Sequence, residues 1–124
     1  ILSEMTKYNR SFNEVLKDAQ NKGFAEADPS FDIDGIDAAH KLAILSSIAY
    51  EEEIDFASIS VSGIRSISNL DISFANDLGY VIKLLAIANS SGFRTVQPSL
   101  ISPYLPNFVN IKSCGESIPS SSYL

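Results

Sequence analysis

Residues 80–97 hold the pattern that most limits how this chain can fold. Residues 80–88 read Y-V-I-K-L-L-A-I-A, an apolar run rich in β-branched side chains, which predicts a buried central strand. The next four residues, N-S-S-G, are typical of a hairpin turn, and residues 93–97 are expected to return as an antiparallel partner. Three later prolines are expected to keep the chain extended and irregular: Pro98, Pro103 and Pro106.

Two capping boxes, each a serine followed three residues later by an acidic residue, mark helix starts. The pairs are Ser11 with Glu14 and Ser68 with Asp71. The first predicts a helix over 12–22, for which Gly23 is the expected C-terminal stop. The second predicts a short helix that ends at Gly79. Its inward residues are expected to be Leu70, Phe74, Ala75 and Leu78.

The segment between these helices predicts a loop, a helix and a strand. Residues 24–33 contain a proline and several aspartates, which favours a loop. Asp34 is the expected N-cap of a helix over 35–50, whose apolar positions cover more than one stripe. Apolar and serine residues then alternate, so Ile59 and Val61 are expected to face the core from a strand.

The order of elements is helix, loop, helix, strand, helix, strand, strand, with no repeat and no linker. This order predicts a single α+β domain, a mixed β-sheet with helices packed on one face. A length of 124 residues is sufficient for one hydrophobic core. The chain opens at Ile1 in an apolar stretch, so residues 1–10 are expected to complete a helix that begins earlier in a longer protein.

The charge balance limits the classes of partner. The formal net charge is −6, with 9 Lys and Arg against 15 Asp and Glu, which argues against a surface for nucleic acid or anionic membranes. No apolar run approaches the roughly 18 residues that a membrane-spanning helix needs. The single cysteine, Cys114, cannot form an internal disulfide, so a cytoplasmic location is expected.

An acidic segment leads into the helix predicted over 35–50. Its five acidic residues are Glu26, Asp28, Asp32, Asp34 and Asp37. Asp37 and Lys41 are four residues apart, so they share one helix face. The next residues on that face, Leu45 and Ile48, are apolar and are expected in the core. Lys41 is therefore not expected to be a freely solvated charge.

Three interpretations of this segment remain open. It could be a solvated acidic loop before a core helix. It could be a calcium loop, although aligning Gly35 with the glycine of an EF-hand puts Lys41 at the twelfth ligand position, where an ammonium repels the ion. It could also be a site for a small zwitterion, with carboxylates on its ammonium and Lys41 as proton donor or acceptor. Burial would lower the pKa of Lys41 and Asp37 would raise it, so its direction stays open.

Other candidate residues are weaker. His40 is the only histidine and lies about 100° round the helix from Lys41, so a surface or packing position is expected and a metal site is not. Cys114 lies in a serine-rich tail without a partner base and is not expected to be a nucleophile. The chain contains no G-x-G-x-x-G turn, so it should not hold the phosphates of a dinucleotide.

The acidic segment closely resembles the signature of homoserine dehydrogenases. Residues 23–45 read G-F-A-E-A-D-P-S-F-D-I-D-G-I-D-A-A-H-K-L-A-I-L, beside the family pattern G-[YF]-x-E-x-D-P-x-x-D-x-x-G-x-D-x-x-x-K-x-x-I-L. Residues 78–88 are similar to the family's central strand, and 96–101 to its V-x-P-x-L-[IV] motif. Residues 1–5 also resemble the stretch that follows the family's N-G-T-x-N-Y motif.

The resemblance implies a function and a set of roles. The family interconverts L-homoserine and L-aspartate 4-semialdehyde with NAD(P), on the route to threonine and methionine. By the motif, Glu26 and Asp32 are similar to carboxylates that bind the substrate ammonium. Asp37 and Lys41 are similar to the catalytic pair, with Lys41 near the reacting oxygen.

The resemblance covers residues 1–109, which it implies are an incomplete substrate-binding and dimerisation domain of a homodimer. The nucleotide-binding domain that mainly holds NAD(P) would lie upstream, so these residues alone are expected to be inactive. Residues 110–124 depart from the family pattern and are expected to form a poorly ordered tail. The alternative function is a non-enzymatic dimerisation or ligand-binding domain on the same scaffold.

Overall fold

The computed structural model describes residues 1–104, which form five helices and three strands. The helices are α1 (Leu2–Tyr8), α2 (Phe12–Asn21), α3 (Ser30–Ile33), α4 (Ile36–Tyr50) and α5 (Asn69–Asp77). The strands are β1 (Ser60–Val61), β2 (Val81–Ala88) and β3 (Arg94–Ile101), and a single 3-10 turn lies at Phe56–Ser58. The predicted tail, 110–124, and Pro106 lie outside the described residues.

The sheet is mixed and has the order β1-β3-β2. The hairpin is antiparallel, with Val81 opposite Ile101 and Ala88 opposite Arg94. Asn89 closes its turn, because its side-chain oxygen accepts the backbone N–H of Phe93 at 3.0 Å. β1 pairs in parallel with β3, and the predicted hairpin and mixed sheet are confirmed.

Two predictions about the strands were wrong. β2 lies at an edge of the described sheet and β3 is its central strand. β3 also continues through Pro98, where an irregular segment was expected. The pairing of β3 with β1 ends at Val96, so among the described strands Pro98 is paired only with β2. A proline, which lacks an N–H, is tolerated where a strand is paired on one side only.

The hydrophobic core lies between one face of the sheet and the helices, in two clusters. The first contains Met5, Val15, Ile72, Ala75 and Ile82, and the second contains Ala39, Leu42, Ile59 and Val96. The residues of β2 that join these clusters are Ile82, Leu84, Ala86 and Ala88. Alternate residues of a strand share one face, so the described helices pack on a single face, as predicted.

Of the four residues around α5 that were expected to point inward, Ala75 is confirmed and the other three are wrong. Ile72 and Ala75 are buried, but three residues expected to point inward are exposed: Leu70, Phe74 and Leu78. Leu78, for example, is 69% exposed. The helix carries apolar residues on two stripes, and the pattern alone does not say which stripe meets the sheet.

Two further details differ from the sequence predictions. Of the two residues expected to face the core from this strand, Ile59 is buried and precedes the two-residue β1, whereas Val61 is exposed. Gly35 rather than Asp34 is the N-cap of α4, and its φ of 81° is one that glycine adopts without strain. The predicted helix over 12–22 is confirmed as α2, with both hydrogen bonds of its capping box present.

Candidate functional site

The acidic segment runs from the end of α2 to the first turns of α4. Part of the predicted loop is helical, since α3 is a single turn over Ser30–Ile33. Gly35 then turns the chain into α4, whose first turn carries Asp37. The candidate carboxylates therefore lie on one short stretch of chain, held between two longer helices.

Asp37 and Lys41 form an ion pair on the surface of α4. The Lys41 Nζ lies 2.6 Å from the Asp37 Oδ2, as the four-residue spacing predicted. The hydrogen bond to Asp37 raises the pKa of Lys41 above its ordinary value, and the charges of Asp37 and Asp32 act in the same direction. Lys41 therefore carries its proton at neutral pH.

The surroundings of this pair differ from the prediction. The Lys41 side chain is 69% exposed. Leu45 and Ile48, expected in the core, are also exposed. The buried side of α4 is set instead by Ala39, Leu42 and Ser46, so the lysine lies on the opposite, solvent-facing side.

The two predicted substrate-binding carboxylates differ in their surroundings. Asp32 is exposed and lies close enough to Lys41 to raise its pKa by charge alone. Glu26 is exposed, and its backbone carbonyl accepts the Gln20 Nε2 at 2.9 Å. Within residues 1–104 its carboxylate makes no hydrogen bond or ion pair. The structure thus groups Asp32, Asp37 and Lys41, and leaves the Glu26 carboxylate unengaged in the described part of the chain.

Arg65 is a contact of the acidic segment that the sequence patterns did not indicate. Its Nε donates to the Asp34 Oδ1 at 2.6 Å and its Nη2 donates to the Asp34 Oδ2 at 3.1 Å. The Nη2 also donates to the Ser30 Oγ at 2.9 Å. Arg65 and Asp34 are 31 residues apart, so no local spacing could have found the pair.

Two glycines allow the acidic segment to lie directly against the strand region. A Cβ on Gly63 would come within 2.4 Å of the Ile33 carbonyl oxygen and 2.5 Å of the Asp34 Cα. A Cβ on Gly35 would lie 3.2 Å from methyl groups of Val61 and Val96. The close backbone approach at Gly63 therefore requires glycine.

His40 lies apart from the Asp37 and Lys41 pair, in an exposed aromatic stack. Its ring lies 4.2 Å from that of Phe56 and 5.9 Å from that of Phe31. In the described part of the chain, no group of three or more His, Cys, Asp or Glu residues could hold a metal ion. No helix within residues 1–104 is long and apolar enough to cross a membrane.

A groove of about 290 Å³ lies elsewhere, between α5 and the hairpin. Its lining is mostly apolar and includes Phe74, Leu78 and Leu100. Asp71, its one carboxylate, is already bonded to the backbone and side chain of Ser68. The groove therefore has a single charged group, which is already part of a helix cap, unlike the acidic segment.

The fold and the acidic segment together define an α+β domain that presents a protonated lysine and several carboxylates to solvent. Residues 1–115 match the sequence model of the homoserine dehydrogenase family. A homoserine dehydrogenase of Bacillus subtilis is 44% identical over 109 residues, which are 86% of this chain and 25% of that protein. One of Pseudomonas aeruginosa is 49% identical over 104 residues, which are 82% of this chain and 24% of that protein.

Solved structures agree with these relatives. A homoserine dehydrogenase from Thiobacillus denitrificans has a TM-score of 0.78 and 47% identity, over 83% of this chain and 25% of that one. A hyperthermophilic archaeal homoserine dehydrogenase in complex with NADPH has a TM-score of 0.67 and 29% identity, over 85% of this chain and 29% of that one. The chain belongs to the homoserine dehydrogenase family, and it spans about a quarter of the length of the curated relatives that it matches. The resemblance and the α+β fold class are confirmed.

Proposed function

We propose that this chain is the substrate-binding and catalytic part of a longer homoserine dehydrogenase. That enzyme interconverts L-homoserine and L-aspartate 4-semialdehyde with NAD(P), in threonine and methionine biosynthesis. The observation that carries the proposal is the 2.6 Å pair of Asp37 and Lys41, with Asp32 beside it, inside the part of the chain that matches the family. Residues 1–109 form the domain in this proposal, and 110–124 form its tail.

Lys41 is the proton donor in this proposal. Reduction of the aldehyde places negative charge on its oxygen, and an ammonium beside that oxygen both stabilises the charge and supplies the proton. Asp37 raises the pKa of Lys41, which keeps the donor charged. In the oxidation of homoserine the neutral amine of Lys41, formed once its own proton has passed to solvent, receives the hydroxyl proton.

Glu26 and Asp32 bind the α-ammonium of the substrate. Both are exposed acidic residues on the segment that leads to Lys41. In a small amino-acid substrate, the α-ammonium and the reacting oxygen are only a few bonds apart. Carboxylates on the segment and a cation on α4 can therefore hold the two ends of one small zwitterion.

Within residues 1–104, the N-termini of the three longest helices do not fit the phosphates of NAD(P). The N-termini of α2 and α5 are occupied by the carboxylates of Glu14 and Asp71 in their own capping boxes. The N-terminus of α4 carries Asp37 and follows Asp34, so negative charge already surrounds it. We propose that NAD(P), the hydride carrier of the reaction, is bound mainly by the part of the enzyme outside these residues.

The test is steady-state kinetics on the longer enzyme with single substitutions. Lys41→Ala should lower kcat by roughly 10²–10⁴-fold because proton transfer is lost. Asp37→Asn should resemble it, and Glu26→Ala should act mainly by raising KM for homoserine. The 124 residues alone should show no turnover.

The chain offers a matched control for the lysine. Lys22 also pairs with an aspartate four residues away, Asp18, at 2.9 Å, and it is 59% exposed. Lys22→Ala should leave kcat unchanged, since an exposed pair of this kind stabilises a helix by only a few tenths of a kcal/mol. A folded Lys41→Ala enzyme with normal kcat would overturn the catalytic assignment of Lys41, whereas a folded, unsubstituted longer protein that does not turn over homoserine would favour a non-enzymatic binding domain.

We also propose that the enzyme is a cytoplasmic homodimer joined through this domain. The described helices cover one face of the sheet, where Leu84 and Ala86 join the core. By strand alternation Leu85 and Ile87 point to the other face and are only partly buried. An apolar sheet face of this kind is suited to pairing with a second copy.

A further inference from the structure

Arg65 is the side chain that ties the acidic segment to the strand region. Two of its nitrogens bond to the two carboxylate oxygens of Asp34, at 2.6 Å and 3.1 Å. This two-point geometry fixes the direction of the carboxylate as well as its distance, which a single lysine charge cannot do.

The contact continues along the segment through Ser30. The Ser30 Oγ accepts from the Arg65 Nη2 at 2.9 Å and donates to the Asp28 Oδ1 at 2.6 Å. The Ser30 backbone N–H donates to the same Asp28 oxygen at 3.1 Å. One guanidinium therefore holds two residues of the segment directly, Ser30 and Asp34, and Asp28 is joined to it through Ser30. The proposed ligand Asp32 lies between Ser30 and Asp34.

Backbone contacts complete the attachment. The Ile64 N–H donates to the Ile33 carbonyl at 2.8 Å, and Gly63 allows the two stretches of backbone to touch. The segment is thus held on both sides of Asp32, by Arg65 at Ser30 and Asp34 and by the backbone at Ile33.

Arg65 bonds to Asp34 and Ser30, whereas Lys41 bonds to Asp37. The carboxylates that raise its pKa are Asp34 and Asp28. Those that raise the pKa of Lys41 are Asp37 and Asp32. The two cations therefore serve different carboxylates, and the Arg65 fork is already filled by Asp34.

We propose that Arg65 is a positioning residue for substrate binding. By holding Asp34 and Ser30 it keeps the acidic segment, with Asp32, at a fixed distance from Lys41. This inference rests on the proposed function of the segment, and it adds a residue outside the matched signature to the requirements for homoserine binding.

Steady-state kinetics on the longer enzyme test the inference with two variants. Arg65→Ala should raise KM for homoserine about 10-fold and leave kcat within about twofold, because the ligands of the ammonium are displaced while the proton donor is intact. Asp34→Asn, which removes the partner charge and keeps its shape, should raise KM in the same way and provides the test if Arg65→Ala does not fold. Arg65→Lys should be intermediate, since it keeps the charge and loses the fork.

Arg10→Ala is the matched control. Arg10 also pairs with an aspartate, Asp18, at 3.2 Å, but it lies outside the acidic segment, so KM should not change. The double variant Arg65→Ala with Asp34→Asn should raise KM no further than either single variant, because each substitution removes the same interaction.

The failure of the inference and the failure of the proposed function give different results. If Lys41→Ala and Glu26→Ala behave as proposed while folded Arg65→Ala and Asp34→Asn keep the normal KM, the positioning role is wrong and the function stands. An equal rise of KM in Arg10→Ala, or a loss confined to kcat, would also overturn the positioning role. If Lys41→Ala keeps normal kcat, the catalytic role of Lys41 fails, and if the unsubstituted enzyme does not turn over homoserine, the proposed function itself fails.

Discussion

Lys41 holds its proton more firmly than an isolated lysine because Asp37 accepts a hydrogen bond from it. A pKa raised by folding means that the pair stabilises the folded state at any pH below the unfolded-state value, about 10.4 for lysine. This contribution is lost as the pH rises through the higher folded-state pKa. At neutral pH both the charge of Lys41 and the contribution of the pair are therefore fully present.

Removing the charge of Asp37 should lower the pKa of Lys41. In Asp37→Asn the ammonium loses its carboxylate partner, so the midpoint of the Lys41 titration should fall relative to the unsubstituted protein. NMR titration of the lysine side-chain carbon next to the amine measures both midpoints. An unchanged midpoint would show that the pair does not persist in solution.

The sequence predicted one part of this site and could not predict the other. Asp37 and Lys41 meet because helical spacing alone brings residues four apart together. Asp34 and Arg65 meet only because the chain folds back over 31 residues, which no periodicity records. The exposure of one face of α4 could not be predicted from the sequence pattern either. Lys41, Leu45 and Ile48 share that face, but packing decides whether it meets the sheet or water.

Helices α2 and α5 both begin with a complete capping box. In α5 the Ser68 Oγ accepts from the Asp71 backbone N–H, and the Asp71 carboxylate accepts from the Ser68 backbone N–H. The bonds from Ser68 lower the pKa of Asp71. A lowered folded-state pKa stabilises the protein above the unfolded-state value, about 3.9, and this contribution is lost as the pH falls through the folded-state value.

Ser68→Ala should destabilise the protein by about 1 kcal/mol at neutral pH, because the Asp71 backbone N–H loses its acceptor and the Asp71 carboxylate loses the hydrogen bond from the Ser68 hydroxyl. The difference from the unsubstituted protein should shrink in acid, where Asp71 is protonated. Urea unfolding at several pH values measures both effects. Ser73→Ala, in the middle of the same helix and exposed, is the control and should not destabilise.

At the level of elements, local signals in the sequence predicted the starts and ends of elements better than their orientation. The capping boxes located α2 and α5, and the N-S-S-G turn located the hairpin. The order of strands depended on β1, a two-residue strand whose pairing with β3 is long-range. Such a short strand has almost no pattern of its own, so the central position of β3 could not be predicted.

At the scale of the whole molecule, residues 1–104 are one-sided: the described helices cover one face of the sheet. The side chains of Leu85 and Ile87 point to the other face, and the exposed Phe74 and Leu78 line a second apolar surface at the groove. Each apolar surface is a candidate interface for self-association, and the two lie on different elements. Single substitutions on each surface therefore show which one is the interface.

Leu85→Lys should weaken self-association, because a charge on the proposed sheet interface must be desolvated when two copies meet. Leu78→Lys should leave association unchanged, since it lies at the groove. Sedimentation velocity over a range of protein concentrations measures both variants. If Leu78→Lys dissociates the protein and Leu85→Lys does not, the copies meet through α5 and the proposed sheet interface is wrong.

The attachment of Asp34 to Arg65 also has a consequence for synthesis on the ribosome. All of the proposed ligands, from Glu26 to Lys41, are made before the arginine that holds their segment in place. At about 5–20 residues per second, the 31 residues between Asp34 and Arg65 take roughly 2 to 6 seconds to add. During that interval the nascent chain carries every acidic group of the proposed site without its anchor, so the site acquires its shape only after the strand region has emerged.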